Sequence, residues 1–138
     1  MLCIDDSKFR DIENQAKKSY PNECCGLLIG MNTSEKKVVE VRPAQNWNTE
    51  RSHDRYVIER KEFEKIDKEA VKKGFQIIGV YHSHPDHPAI PSAYDTEHAC
   101  SWFSYIIVAV EKGETTDIKS WIFNEEKKQF EEEKISVY

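Results

Sequence analysis

FQIIGVYHSH at residues 75–84, PDHPAIP at 85–91 and SAYDTEHACSW at 92–102 decide how this chain is read. The first segment is a continuous apolar run, which suits a central strand buried on both faces. Three prolines exclude regular structure from 85–91, and 92–102 reads as a short helix. His82 and His84 stand one residue apart at the end of the predicted strand, where residues i and i+2 face the same side. Both imidazoles can therefore converge on one ion. Zinc takes imidazole nitrogen at about 2.0–2.1 Å, and a carboxylate often completes a three-ligand set that leaves one position for water. Asp95, in the first turn of the helix after the proline loop, is the candidate carboxylate, because the loop is long enough to fold that turn back over the strand end. Ser92 lies three residues before Asp95 and shares its helix face. Ser92-x-x-Asp95 is also a capping-box pattern, and the two readings are partly compatible.

Outward from this stretch, the patterning predicts an α/β domain with a mixed sheet. Phe9, Ile12, Ala16 and Tyr20 recur at helical spacing, so 6–20 reads as a helix capped by Asp5 or Asp6 and ended by Pro21. ECCGLLIG (23–30) and KVVEVRPA (37–44) read as strands around a turn. The polar stretch 45–58 is expected to end in a short strand at Tyr56–Ile58. Phe63, Ile66 and Ala70 define a helix over 60–73, with Gly74 at its C-terminal cap. SYIIVAV (104–110), DIKSWIF (117–123) and QFEEEKISVY (129–138) complete the strands. The 138 residues suit one domain spanning 1–138, with no repeat and no linker.

Composition narrows the function. The net charge of −5 disfavours nucleic-acid binding through phosphate neutralisation. The lysines of 61–73 alternate with glutamates, as on a solvated helix face. No run approaches a membrane span and no export signal is visible, so a cytoplasmic protein without a membrane partner is expected. Cys3, Cys24, Cys25 and Cys100 fit neither a disulfide framework nor a four-thiolate zinc site. Reduced thiols are expected, with Cys24 and Cys25 packed as small apolar residues. Nothing in the sequence speaks to oligomeric state.

His82-Ser83-His84-Pro85, then Pro91-Ser92, then Asp95, with Glu23 upstream beside Cys-Gly-Leu-Leu, resembles the JAMM (MPN-plus) metallopeptidase family. The motif is complete, and the resemblance extends over nearly the whole chain. It implies a curved mixed β-sheet flanked by helices, of the cytidine-deaminase-like kind, holding one Zn2+ per chain. It implies that His82, His84 and Asp95 are the metal ligands, that Glu23 is the general acid/base, and that Ser92 stabilises the oxyanion. The chemistry agrees. Zinc acidifies water to a pKa of roughly 7, a neighbouring carboxylate can move its proton to a leaving amine, and a hydroxyl can donate to the developing negative oxygen. Only the resemblance, with its place at the start of a buried strand, brings Glu23 to the site.

Other residues carry plainer expectations. His87 is a surface residue or a substrate contact, not a fourth ligand, because a fourth ligand would close the site. His98 either orients a ligand or is exposed, with exposure favoured. His53 has no assigned role. Ser83 alternates away from the histidines and supports the sheet. Trp47, Trp102 and Trp121 are expected in the core or in a groove. The near-minimal chain is similar to stand-alone bacterial family members linked to ubiquitin-like sulfur-carrier proteins. That implies hydrolysis after a C-terminal Gly-Gly, with the tail adding a strand at a sheet edge and glycines allowing close approach to the metal. A deubiquitinase-like isopeptidase and a non-catalytic MPN-type scaffold are the alternatives.

Overall fold

A computed structural model describes residues 1–138. The elements run β1 (Leu2–Ile4), α1 (Asp6–Ser19), β2 (Cys25–Asn32), β3 (Lys36–Ala44), α2 (Arg60–Lys72), β4 (Gln76–Pro85), α3 (Ala93–Glu97), β5 (Ser104–Glu111), β6 (Glu114–Asn124), β7 (Gln129–Glu133) and β8 (Ile135–Val137). All eight strands join one mixed sheet in the order β7-β6-β5-β4-β2-β3-β1-β8. β4 lies at its middle, antiparallel to β2 and parallel to β5, as its unbroken apolar run foretold. The sheet curves nearly into a barrel, because β7 and β8 occupy opposite edges and are separated in sequence only by Lys134.

The two long helices, α1 and α2, cover opposite faces. Asp5 caps α1 by accepting from the Lys8 N–H at 3.0 Å, and Ile12 and Ala16 pack on Leu28, Ile78, Tyr81 and Ile106. Ile66 and Ala70 of α2 pack on Leu27, Ile29, Ile77, Val80 and Tyr105. Burying Ile12 or Ile66 contributes about 1.5–3 kcal/mol each. Gly74, at φ +83°, ends α2 in the left-handed conformation expected of it.

A bulge decides which way the histidines point. Leu28 pairs with Gly79, yet Ile29 pairs with Ile77, so β4 carries one extra residue there. The alternation reverses at that point. Ile77 and Val80, three apart, both face the α2 side, and positions 82 and 84 follow Val80 on that side. Tyr81 turns to the α1 side, where its ring crosses Gly26; a Cβ at position 26 would lie 2.2 Å from it.

Several expectations are corrected. No strand forms at Tyr56–Ile58; Val57 is tied instead through Trp47 N–H to Val57 O at 2.9 Å and Val57 N–H to Asn46 Oδ1 at 3.1 Å. The helix read over 92–102 covers only Ala93–Glu97. The single strand read over 129–138 breaks at Lys134, since its halves pair with β6 and β1 at opposite edges. β1, three residues long, is too short to carry a sequence pattern. Trp102 is about half exposed and lies outside the core, whereas the similarly exposed Trp47 lines a groove with Arg42, Glu62 and Ile66 and Trp121 packs on Ala89, Ile107 and Ala109, as expected of groove and core aromatics. No helix is long and apolar enough to cross a membrane.

Candidate metal centre

Register brings the upstream glutamate to the histidines. Cys25 pairs with His82, so Glu23, two residues earlier on an antiparallel segment, comes level with His84. Ser83 ties the segments together there: its N–H donates to Cys24 O at 3.2 Å, and its Oγ accepts from Cys24 N–H at 2.8 Å. It supports the sheet, as expected from its alternation away from His82 and His84.

The proline loop then folds α3 back over the end of β4. Ser92 caps α3 in a full capping box, its Oγ accepting from Asp95 N–H at 3.1 Å and its N–H donating to Asp95 Oδ2 at 2.9 Å. This reciprocal pair aims the Asp95 carboxylate inward. His84 Nδ1 lies 2.9 Å from Pro88 O; an N–H donated there leaves Nε2 to face the centre.

The resulting cluster is buried and incompletely bonded. His84 Nε2 is 3.1 Å from Asp95 Oδ2. His82 Nε2 is 3.5 Å from Asp95 Oδ1, and His82 Nδ1 is 3.3 Å from Glu23 Oε1. Although these last two contacts are short, neither is aligned as a hydrogen bond, and Glu23 Oε1 and both His82 nitrogens are buried without a partner. Buried polar groups rarely stay orphaned. Donor atoms that share an ion are close to each other without pointing at each other, and tetrahedral ligands at zinc distances are about 3.3 Å apart. The residues therefore fit a divalent ion. Donor atoms of Glu23, His82 and His84 also lie mutually within 4.8 Å, so two carboxylates, Glu23 and Asp95, flank the imidazole pair.

The electrostatics suit a cation. Burial pushes the Asp95 carboxyl up, but the His82 charge, the His84 hydrogen bond and the Ser92 N–H outweigh it and hold Asp95 well below the usual carboxylate range. Burial pulls His84 down, yet the hydrogen bond and charge of Asp95 leave it raised overall.

The five residues read from the sequence thus meet. Glu23, His84 and Ser92 line an open cleft of about 450 Å³, with His82 and Asp95 buried against them. His87 lines the cleft and is exposed. His98 is exposed and stacks on Tyr94 at 4.2 Å. His53 is exposed, 3.7 Å from Asp54. β4 is paired on both sides, leaving β7 and β8 as the sheet edges, and the loops 45–58 and 85–91 form the walls of the cleft.

Three residues of those walls escaped the sequence reading. Tyr56 stacks on His82, 4.4 Å between ring centres. Asn46 holds the 46–57 loop, donating to Arg55 O at 2.9 Å and Glu23 O at 3.3 Å and accepting from Asn48 N–H and Val57 N–H. Arg55 lies over the Tyr94 ring at 4.9 Å. Their signal is tertiary; no spacing in the polar stretch singles them out.

Comparison with known proteins agrees with this geometry. A family model described as prokaryotic homologs of the JAB domain matches residues 6–124. A desampylase of Pyrococcus furiosus is 34% identical over 115 residues, covering 83% of this chain and 76% of that protein. A desampylase of Haloferax volcanii is 34% identical over 86 residues, covering 62% and 60%. A solution structure from Desulfitobacterium hafniense superposes with a TM-score of 0.87 at 28% identity, covering 100% of this chain and 93% of that one. A JAB1/MPN domain protein of Archaeoglobus fulgidus shares the fold at a TM-score of 0.58 and 18% identity, covering 100% and 97%. With its histidines, carboxylates and capping serine gathered as the motif requires, the chain belongs to the prokaryotic JAB-domain family of JAMM type.

Proposed function

We propose that this chain is a zinc-dependent peptidase or isopeptidase that hydrolyses the amide bond after the C-terminal Gly-Gly of a ubiquitin-like sulfur-carrier protein. The observation that carries the reading is the buried His82 ring, whose two nitrogens lack partners between two carboxylates at the base of an open cleft. His82, His84 and Asp95 would hold the ion. When bound, zinc supplies acidified water and polarisation of the scissile carbonyl.

The remaining work falls to the chain's own groups. Glu23, with Oε1 unpartnered at the cleft, takes a proton from the attacking water and passes it to the leaving amine. Its backbone is fixed for this by Glu23 N–H to Ser52 O at 2.6 Å and by Asn46. The Ser92 hydroxyl accepts from Asp95 N–H, which leaves its own hydrogen to donate to the oxyanion. Tyr56 covers the His82 face and excludes water from it. We further propose that residues 1–138 act as one domain and work in the cytoplasm, in keeping with four cysteines that form no disulfide.

Incubating the zinc-loaded protein with a carrier extended beyond Gly-Gly, read by intact mass, should show cleavage after the second glycine. The Glu23→Gln protein should keep one zinc per chain and cut nothing. An uncut carrier in the presence of fully loaded enzyme rejects the substrate, and an active Glu23→Gln protein rejects the proton shuttle. A lysine-linked isopeptide of the same carrier tests the second reading, favoured by the two desampylase relatives.

A further inference from the structure

We infer that Arg55 is a specificity residue of the cleft that receives a carboxylate of the substrate, an inference that rests on the peptidase reading of the same site. Two arginines line the cleft, and they are held in opposite ways. The Arg51 guanidinium is already spent. Its Nε lies 3.1 Å from Asp54 Oδ1 and its Nη2 bonds Asp54 Oδ2, a two-pronged pair within the same loop. Arg55 pairs with no carboxylate. Its guanidinium rests over the Tyr94 ring, 4.9 Å from the centroid.

A cation held by an aromatic face keeps its N–H groups unspent, because they project in the guanidinium plane and not along the stacking direction. The planar fork of arginine matches a carboxylate with two parallel bonds. Arg55 is also built to stay in place. Its N–H donates to Arg51 O at 2.8 Å, and its carbonyl accepts from Asn46 Nδ2 at 2.9 Å. The platform beneath it is fixed as well: the Tyr94 hydroxyl donates to Tyr56 O at 3.2 Å, and Tyr94 directly precedes Asp95. An arginine without a counter-ion is therefore held on the wall of the cleft that Glu23, His84 and Ser92 also line. The chain carries a net charge of −5, so acidic substrates gain no general attraction from it, and this local cation is where one would be drawn in.

A peptide substrate can bring a carboxylate from two sources: the α-carboxylate of a leaving amino acid, or an acidic side chain of the carrier. Carrier tails ending in Gly-Gly-Cys as free acid, Gly-Gly-Cys as amide, and each with its acidic side chains neutralised to amides separate them. With zinc-loaded wild type, the acid should be cut with a kcat/KM about 10-fold or more above the amide if the α-carboxylate is the ligand. Arg55→Ala should then bring the acid down to the level of the amide, mainly through KM, and Arg55→Lys should restore part of the preference, having the charge without the fork. If the carrier's side chains supply the group, the acid and amide are cut alike, and the Arg55→Ala loss disappears only on the neutralised carrier. Either pattern supports the assignment. An equal loss on all four substrates, or no loss on any, overturns it, provided that melting temperature and zinc content match the wild type. Should the wild type cut nothing, the peptidase reading fails separately, and titration calorimetry of the same peptides against the wild type and Arg55→Ala still decides: acid binding weakened by the substitution supports the site, and unchanged binding overturns it.

Discussion

Replacing Asn46 by alanine tests how the loop over the site is held. The Asn46 amide makes four hydrogen bonds: to Glu23 O and Arg55 O as donor, and from Asn48 N–H and Val57 N–H as acceptor. A hydrogen bond contributes about 0.5–1.5 kcal/mol net, with more lost when a buried partner is left unpaired. Water can replace Asn46 at the exposed Val57 N–H, while the bond to Glu23 O is long at 3.3 Å. The expected destabilisation is therefore about 2–3 kcal/mol, in the lower part of the additive range. For a chain of this length that lowers Tm by about 10 °C. With Glu23 in the role proposed for it, the functional effect should exceed what stability explains, since Asn46 fixes the carbonyl of Glu23 and a misplaced proton carrier slows turnover by about 10–100-fold. Because Asn46 bonds neither His82, His84 nor Asp95, zinc content should stay unchanged. Urea unfolding, metal analysis and carrier cleavage together read the outcome, with Asn48→Ala as control, since its side chain accepts one exposed bond, from Arg51 N–H. An Asn46→Ala protein with unchanged midpoint and unchanged turnover would refute the reasoning.

Three further outcomes follow from the same structure. Gly26→Ala places a methyl 2.2 Å from the ring of the fully buried Tyr81 and should destabilise by about 1–3 kcal/mol or more, measured by urea denaturation; full stability would mean that the ring can move aside. Burial pushes the Cys24 thiol up to about 11 and the Cys25 thiol up to about 12, so iodoacetamide at pH 8 should modify exposed Cys100 long before either, as peptide mapping would reveal. Unfolded thiols ionise first as pH rises, so stability should also decline from about pH 9 upward, and Cys24→Ala should flatten that decline. In the zinc-stripped protein His84 is raised by Asp95. Its contribution is present below the unfolded value and lost as pH rises through the folded one, while metal binding needs the neutral ring. The gap in urea midpoint between zinc-loaded and stripped protein should therefore widen from pH 5.5 to pH 8, and a constant gap would count against His84 as a ligand.

The motif residues were legible because their chemistry is encoded locally. His82 and His84 share a strand face once 75–84 is extended, Ser92 and Asp95 sit one helical turn apart, and the apolar runs at 26–30, 77–81 and 105–110 have the length and β-branched content of buried strands. The helix faces of Ile12 and Ala16 and of Ile66 and Ala70 were legible for the same reason. Tertiary structure alone decided the rest. Glu23 reaches the site through the register of β2 on β4, set by pairing between segments about fifty residues apart. The bulge at Ile78 selects the sheet face on which the histidines emerge. Tyr56, a strand residue by propensity, spends its ring on His82 instead. The run 129–138 splits because the curving sheet needs each half at a different edge. Local sequence sets which side chains share a turn or a strand face; long-range pairing sets which of those faces look at one another.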